Sequence, residues 1–277
     1  MKQFLTYTIL FLLFAFAVYH AKPLYLLIND KYKTTVAGSE IYYAIEKSKK
    51  KSKTKKALFG DSVARQLFNS NIESDTINSL ATNQAIALVG QYILLNNYLQ
   101  AGNQVDTVYF LLRPFTFQNN LDQVYTYHYF LKPFYTDEYL KYFTPTVMDQ
   151  IKKIPHVRFR QLPSILTSDW APEFITTDTM NYTFLSPVSI DYLKKIKELA
   201  SQYRFKLIIL PTPINSALKS KIDQFDRNEI ISNGFQKEFT NYFENITYLD
   251  NRYFSDSSHL VNPAVYTELY KQKFFRP

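Results

Sequence analysis

The chain has 277 residues, 46% hydrophobic and 17% aromatic, with 23 Tyr, 23 Phe and 1 Trp, enough apolar mass for one large domain or two small ones. Cysteine is absent, which excludes disulfides, thiolate metal sites and a cysteine nucleophile. The formal net charge is +8, but seven lysines fall within residues 47–56 and the remainder is close to neutral. That run has no interleaved aromatics, so nucleic acid is excluded as a partner.

Residues 4–19 are almost wholly apolar, with Lys2 before them and Lys22-Pro23 after. A spanning helix needs about 20 residues. One reading is a cleaved secretory signal, with Ala15-Phe16-Ala17 as its small-x-small site. The other is an uncleaved anchor, favoured because the apolar character continues through 24–28. A buried core helix is a third. Residues 1–21 are therefore assigned as a signal anchor or transmembrane helix. Lys22, Lys31 and Lys33 outnumber Lys2, and lysines mark the cytoplasmic side. Against this, an N-terminal apolar run acts as an export signal, and the expectation is a single-pass anchor with the domain on the extracytoplasmic side. Residues 22–56 read as a tether, with one or two helical turns at 41–45. The lysine run is solvated, either as a spacer or against anionic lipid or glycan, where each lysine adds about 1 kcal/mol.

From residue 57 strand-like and helix-like segments alternate. Strands are expected at 57–59, 76–80, 105–112, 205–210 and 246–249, the fourth stopped by Pro211-Thr212-Pro213. Helices are expected at 83–100 (amphipathic), 190–203, 215–231, 235–243 and 263–275. This alternation implies an α/β domain with a parallel sheet.

Ser62 sits where the first strand turns into the helical spacing of residues 63–68. A serine there stands at the carboxyl edge of the sheet, where open α/β sheets place chemistry. The alternative is a plain N-cap. Near the other end, Asp256-Ser257-Ser258-His259-Leu260 follows the last expected strand. Serine, histidine and an acid are the parts of a hydrolytic triad. For His259 the alternative is a solvated loop histidine, and for Asp256 another cap.

Phe59-Gly60-Asp61-Ser62 early and Asp256-x-x-His259-Leu260 late resemble the SGNH/GDSL hydrolase superfamily, over residues 57–277. The resemblance implies an SGNH or flavodoxin-like three-layer sandwich with a five-stranded parallel sheet. It also implies a Ser62 nucleophile completed by Asp256 and His259. Members usually carry a glycine after the second strand and a Gly-x-Asn-Asp block after the third, which complete the oxyanion hole. Here Ala81-Thr82-Asn83-Gln84 and Leu112-Arg113-Pro114-Phe115-Thr116 stand in those places. Asn83 and Arg113 are the replacement donors, or else Asn83 caps a helix and Arg113 pairs with a structural acid. A missing donor costs about 100- to 1,000-fold in rate.

The interval of about 114–189 far exceeds an ordinary connection and is dense in aromatics, including Phe115, Phe117, Tyr125, Tyr129, Phe130, Phe134, Tyr139 and Phe143. It forms either a lid or sugar-stacking wall over Ser62, or a helical subdomain with its own aromatic core. His128 and His156 within it lack metal-ligand spacing, so no metal and no cofactor is expected. Divergent SGNH-like domains with an N-terminal anchor resemble this layout and act as esterases or O-acyltransferases on cell-surface polysaccharides. The resemblance therefore implies such an enzyme, working through an acyl-serine on an acylated glycan or other small ester. The alternative is a catalytically weak domain that binds glycan or scaffolds an envelope assembly.

Overall fold

The computed structural model describes residues 2–21, 38–72, 74, 76–123, 125–154 and 183–275. The first part of the expected tether (22–37) and the middle of the insertion (155–182, with His156) lie outside the described residues. Helix α1 (Lys2–His20) buries none of its side chains and is long and apolar enough to cross a membrane.

The chain from residue 38 is a mixed α/β structure built on a parallel sheet of four strands: β1 (Lys56–Gly60), β2 (Asn78–Ser79), β3 (Thr107–Leu111) and β4 (Lys206–Leu210), in the order β2-β1-β3-β4. β1 pairs along its whole length with β3, Lys56 opposite Thr107 and Gly60 opposite Leu111. β4 extends the sheet on the other side of β3 in the same register. Successive side chains of a strand point to opposite faces, and both faces of this sheet are apolar. Ala57, Phe59, Val108 and Phe110 belong to the larger core cluster, with Phe59 and Phe110 stacked 5.4 Å apart. Leu58, Tyr109 and Leu111 belong to a smaller cluster on the other face.

Four helices form the larger cluster's side: α2 (Ser39–Ser48), α4 (Ala87–Gln100), α5 (Pro145–Lys153) and α6 (Pro187–Tyr203). On the smaller side lie α3 (Ser62–Leu67) and α7 (Pro263–Phe274). Segment 83–100 is not one amphipathic helix. It opens as a 3-10 turn, Gln84–Ile86, and turns α-helical after Ala87, whose φ of 49° breaks the two apart. Residues 87–99 are buried on every side, because α2, α6 and the insertion cover the face that the sheet does not.

The tether is also shorter than expected on its described side. α2 buries Ile41, Ala44, Ile45 and Ser48 in the domain core, and the Lys47 ammonium donates to the Ser70 and Ser79 carbonyls at 2.6 and 3.0 Å. Apolar residues at 41, 44 and 45 recur at helical spacing, so the segment buries one face. Lys49, Lys50, Lys51, Lys53 and Lys55 remain exposed.

Five strands in one sheet is a correction. The expected last strand forms as β6 (Tyr248–Leu249), but it pairs with β5 (Ile214–Asn215) in a separate two-stranded parallel ladder. β4 runs into Pro211-Thr212-Pro213, and prolines donate nothing to a ladder. The outward amide of Ile209 is taken by the Glu238 carbonyl at 3.2 Å, so the β4 edge is covered. Segment 215–231 breaks into short turns and the helix Asn228–Ser232, interrupted where the Asp226 carboxylate accepts from the Asn228 amide. Residues 236–245 are turns rather than helix, with Asn241 left-handed at φ 55°. Their helical spacing reflects the burial of Phe235, Phe239 and Tyr242.

In its described part the insertion does not build a separate aromatic core. Phe117, Tyr127, Phe130, Phe134 and Tyr139 enter the same core cluster as Phe59 and Phe110. Desolvation of large rings favours that place.

Gly60, the last residue of β1, is fixed by contact. A Cβ there would stand 2.4 Å from Ala64 Cβ and 2.5 Å from the Leu111 carbonyl oxygen, a backbone atom that cannot swing away. Gly60→Ala is expected to destabilise the domain by about 2 kcal/mol or more. Urea unfolding measures this, and an unchanged midpoint would contradict the packing.

Candidate active site

The turn from β1 into α3 is set by Asp61. Its side chain is fully buried, and Oδ1 accepts from the Val63 and Ala64 amides at 3.0 and 3.2 Å. Asp61 is thus the N-cap, the role that the sequence left open for Ser62. Ser62 becomes the first helical residue. Its own amide has no acceptor within the helix and no hydrogen bond among the described residues. α3 is amphipathic: Val63, Ala64 and Leu67 are buried, while Ser62, Arg65 and Gln66 are half-buried on its other face.

Ser62 and His259 are 197 residues apart in sequence, yet Ser62 Oγ and His259 Nε2 lie 2.9 Å apart. His259 Nδ1 lies 2.7 Å from Asp256 Oδ2. The carboxylate holds the proton on Nδ1, which leaves Nε2 to accept from the serine hydroxyl. Asp256 does cap its turn, since Oδ1 accepts from the Ser258 and His259 amides at 2.7 and 2.8 Å. The cap and the imidazole contact use different oxygens. Burial acts to raise the Asp256 carboxyl, but the hydrogen bonds from the His259 ring and from the His259 and Ser258 amides outweigh it and hold the group at about 2. The carboxylate is therefore ionised throughout the range in which a histidine titrates.

The histidine loop is anchored at both ends. Phe254 and Leu260 form an antiparallel bridge, and the Ser255 amide donates to the His259 carbonyl at 2.8 Å. Gln66 fastens the loop to α3. Its Oε1 accepts from the Leu260 amide at 2.9 Å and its Nε2 donates to the Leu260 carbonyl at 3.3 Å. One amide side chain thus reads both backbone groups of the residue after His259, from the helix that carries Ser62. The sequence reading passed over Gln66. Its signal was its place four residues after the serine, on the same helix face.

The two expected oxyanion donors differ. The Arg113 guanidinium is buried and committed: Nε lies 3.8 Å from Asp61 Oδ2, and Nη2 donates to Gln84 Oε1. Arg113 therefore pairs with a structural acid, the alternative weighed above. The Arg113 amide and the Thr116 hydroxyl also donate to Asp61 Oδ2, at 2.8 and 3.0 Å. Asn83 is half-buried after β2. Its Oδ1 accepts from the Ala85 amide at 2.9 Å, capping the 3-10 turn, while its Nδ2 has no acceptor among the described residues. Capping and donation use different atoms, so Asn83 is able to do both. His128 is buried beside Tyr127 in the insertion.

Comparison with protein-family models, with curated proteins and with solved structures finds no match to this chain.

The Asp256 carboxyl is depressed in the folded chain, to about 2 from 3.8 for the free side chain. Its contribution to stability is complete above 3.8 and is lost as pH falls towards 2. The melting temperature of the parent should exceed that of Asp256→Asn at about pH 5, and the margin should shrink as pH falls from there towards 2. A margin that widens as pH falls over that range would contradict the ionised carboxylate.

Proposed function

We propose that the domain is an SGNH-type serine esterase or O-acyltransferase acting on acyl esters of a cell-surface glycan. The observation that carries this reading is the continuous chain of hydrogen bonds from Ser62 Oγ through His259 to Asp256, at 2.9 and 2.7 Å. A binding module has no need of a hydroxyl held on an imidazole that a carboxylate orients.

The reaction starts from the Ser62–His259–Asp256 chain. The Ser62 oxygen attacks the ester carbonyl carbon as its proton passes to His259 Nε2. Asp256 stabilises the imidazolium that forms. The oxygen of the tetrahedral intermediate takes the free Ser62 amide and, with it, Asn83 Nδ2 as donors. Collapse expels the alcohol, which leaves with the proton from Nε2, and Ser62 carries the acyl group as an ester. Water or a sugar hydroxyl then attacks this acyl-serine, His259 again accepting its proton. The ester bond to Ser62 breaks, and Nε2 returns the proton to Oγ. Arg113 serves this chemistry by holding Asp61, and through it the turn that presents Ser62.

Helix α1, long and apolar enough to cross a membrane, supports an anchored protein; we propose that its domain lies on the extracytoplasmic side, where an acylated surface glycan is within reach. Protease added to intact cells with a permeabilised outer layer should degrade the domain. Protection until lysis would place it in the cytoplasm.

The purified chain should hydrolyse 4-nitrophenyl acetate and label at Ser62 with a fluorophosphonate. Ser62→Ala should abolish both without lowering the melting temperature. In the same assay Asn83→Ala should slow turnover at least tenfold, about 1.4 kcal/mol. If Asn83 is only a cap, its loss appears as about 1 kcal/mol of stability instead. A Ser62→Ala protein as active as the parent would remove the nucleophile and the proposal with it.

A further inference from the structure

The open face of α3 carries Ser62, Arg65 and Gln66. Two of the three are engaged: Ser62 with His259, and Gln66 with both backbone groups of Leu260. Arg65 is not. Its guanidinium makes no ion pair and no hydrogen bond among the described residues, and its Nε is shielded from solvent without a partner. The buried Arg113 also has an Nε without a hydrogen bond, but its guanidinium has an ion pair with Asp61 and donates from Nη2 to Gln84, whereas the half-buried Arg65 has neither among the described residues. Shielded donors are satisfied in folded proteins unless a water or ligand completes them. Arg65 stands three residues after Ser62, which places their Cβ atoms about 5–6 Å apart on one helix face. It is the free cation, among the described residues, next to the nucleophile.

Its surroundings have a chemistry of their own. Tyr129 lies close enough to feel the charge of Arg65, and that of Glu40 on α2. Tyr125 packs edge-on against Tyr129 with ring centroids 5.7 Å apart, and is 60% exposed. A cation with open donors thus borders a tyrosine pair that has an apolar face available. Guanidinium binds carboxylate and phosphate through paired N–H groups, and an exposed aromatic face suits the apolar side of a sugar ring.

We propose that Arg65 determines specificity by binding a carboxylate or phosphate of the substrate, and that the glycan taken by this site is acidic. This rests on the esterase reading for its substrate but not for its test, because binding is read without turnover. Full-length chain in detergent would be titrated calorimetrically with a galacturonic acid trisaccharide and with the neutral galactose trisaccharide. The parent should bind the acidic one at least about tenfold more tightly, with the preference falling as salt rises. Arg65→Gln should abolish the preference. Arg65→Lys, which keeps the charge but not the planar fork, should lose at least about threefold of it. A parent that binds both sugars equally, or a preference unchanged in both variants, overturns the proposal. So does a preference confined to the acyl side, seen as faster turnover of 4-nitrophenyl hemisuccinate than of the acetate with no discrimination between the trisaccharides. An Arg65-dependent preference in a protein that turns over no ester would support the anion site and count against the esterase reading instead.

Discussion

The buried carboxylate of Asp61 ties together everything that positions Ser62. One oxygen caps α3; the other gathers the Arg113 amide, the Thr116 hydroxyl and the nearby guanidinium of Arg113. A charge with no exposure to water is tolerable only when its lone pairs are met in this way. The consequence is geometric. The end of β1, the start of α3 and the exit of β3 share one anchor, so the Ser62 backbone cannot shift without uncovering the buried carboxylate. Removing one partner of such a pair costs about 3–5 kcal/mol. Gly60 makes the same turn possible from the other side, by letting Ala64 and the Leu111 carbonyl approach within a distance that no side chain would permit.

Against that fixed turn, the histidine arrives from the far end of the chain. Its loop is held by the Phe254–Leu260 bridge, by Gln66 and by the packing of α7 onto α3, where the Thr267 hydroxyl donates to the Leu67 carbonyl at 2.8 Å. Tyr270, fully buried, reaches the Pro211 carbonyl at 2.8 Å and so links α7 to the end of β4. Ser62 and His259 are therefore brought together by the smaller of the two core clusters. The larger one, which holds most of the buried aromatic residues among those described, forms the opposite face of the sheet.

The sequence carried a good part of this. Short apolar runs at 57–59 and 105–112 mark the two central strands because such strands are buried on both faces, the run at 205–210 marks the strand at the sheet's edge, and the motifs around Ser62 and His259 named residues that the fold brings within hydrogen-bond reach. Other features were invisible for physical reasons. Asp61 and Ser62 are both good caps, and only the backbone dihedral at Asp61, extended at φ −86° and ψ −168°, decides between them. The periodicity of 235–243 is real, but it comes from three buried aromatic rings on a chain of turns, and spacing alone cannot separate that from a helix. The last strand was legible as a strand, yet its partner was not. Strand pairing depends on where Pro211 and Pro213 turn the chain out of the ladder. The insertion's aromatics signalled burial without saying whose core they would join.

Helix α7 is the least enclosed of the elements that serve the site. Among its residues Tyr270 is buried, while Val265 and Leu269 face outward. The loop that carries His259 leads directly into this helix, whereas Ser62 stands at the end of β1 beside the buried Asp61. Opening free energies differ across a fold in just this way, lowest where burial is least. Warming would then detach the carboxy-terminal arm first, parting imidazole from hydroxyl while the sheet and its aromatic side remain intact.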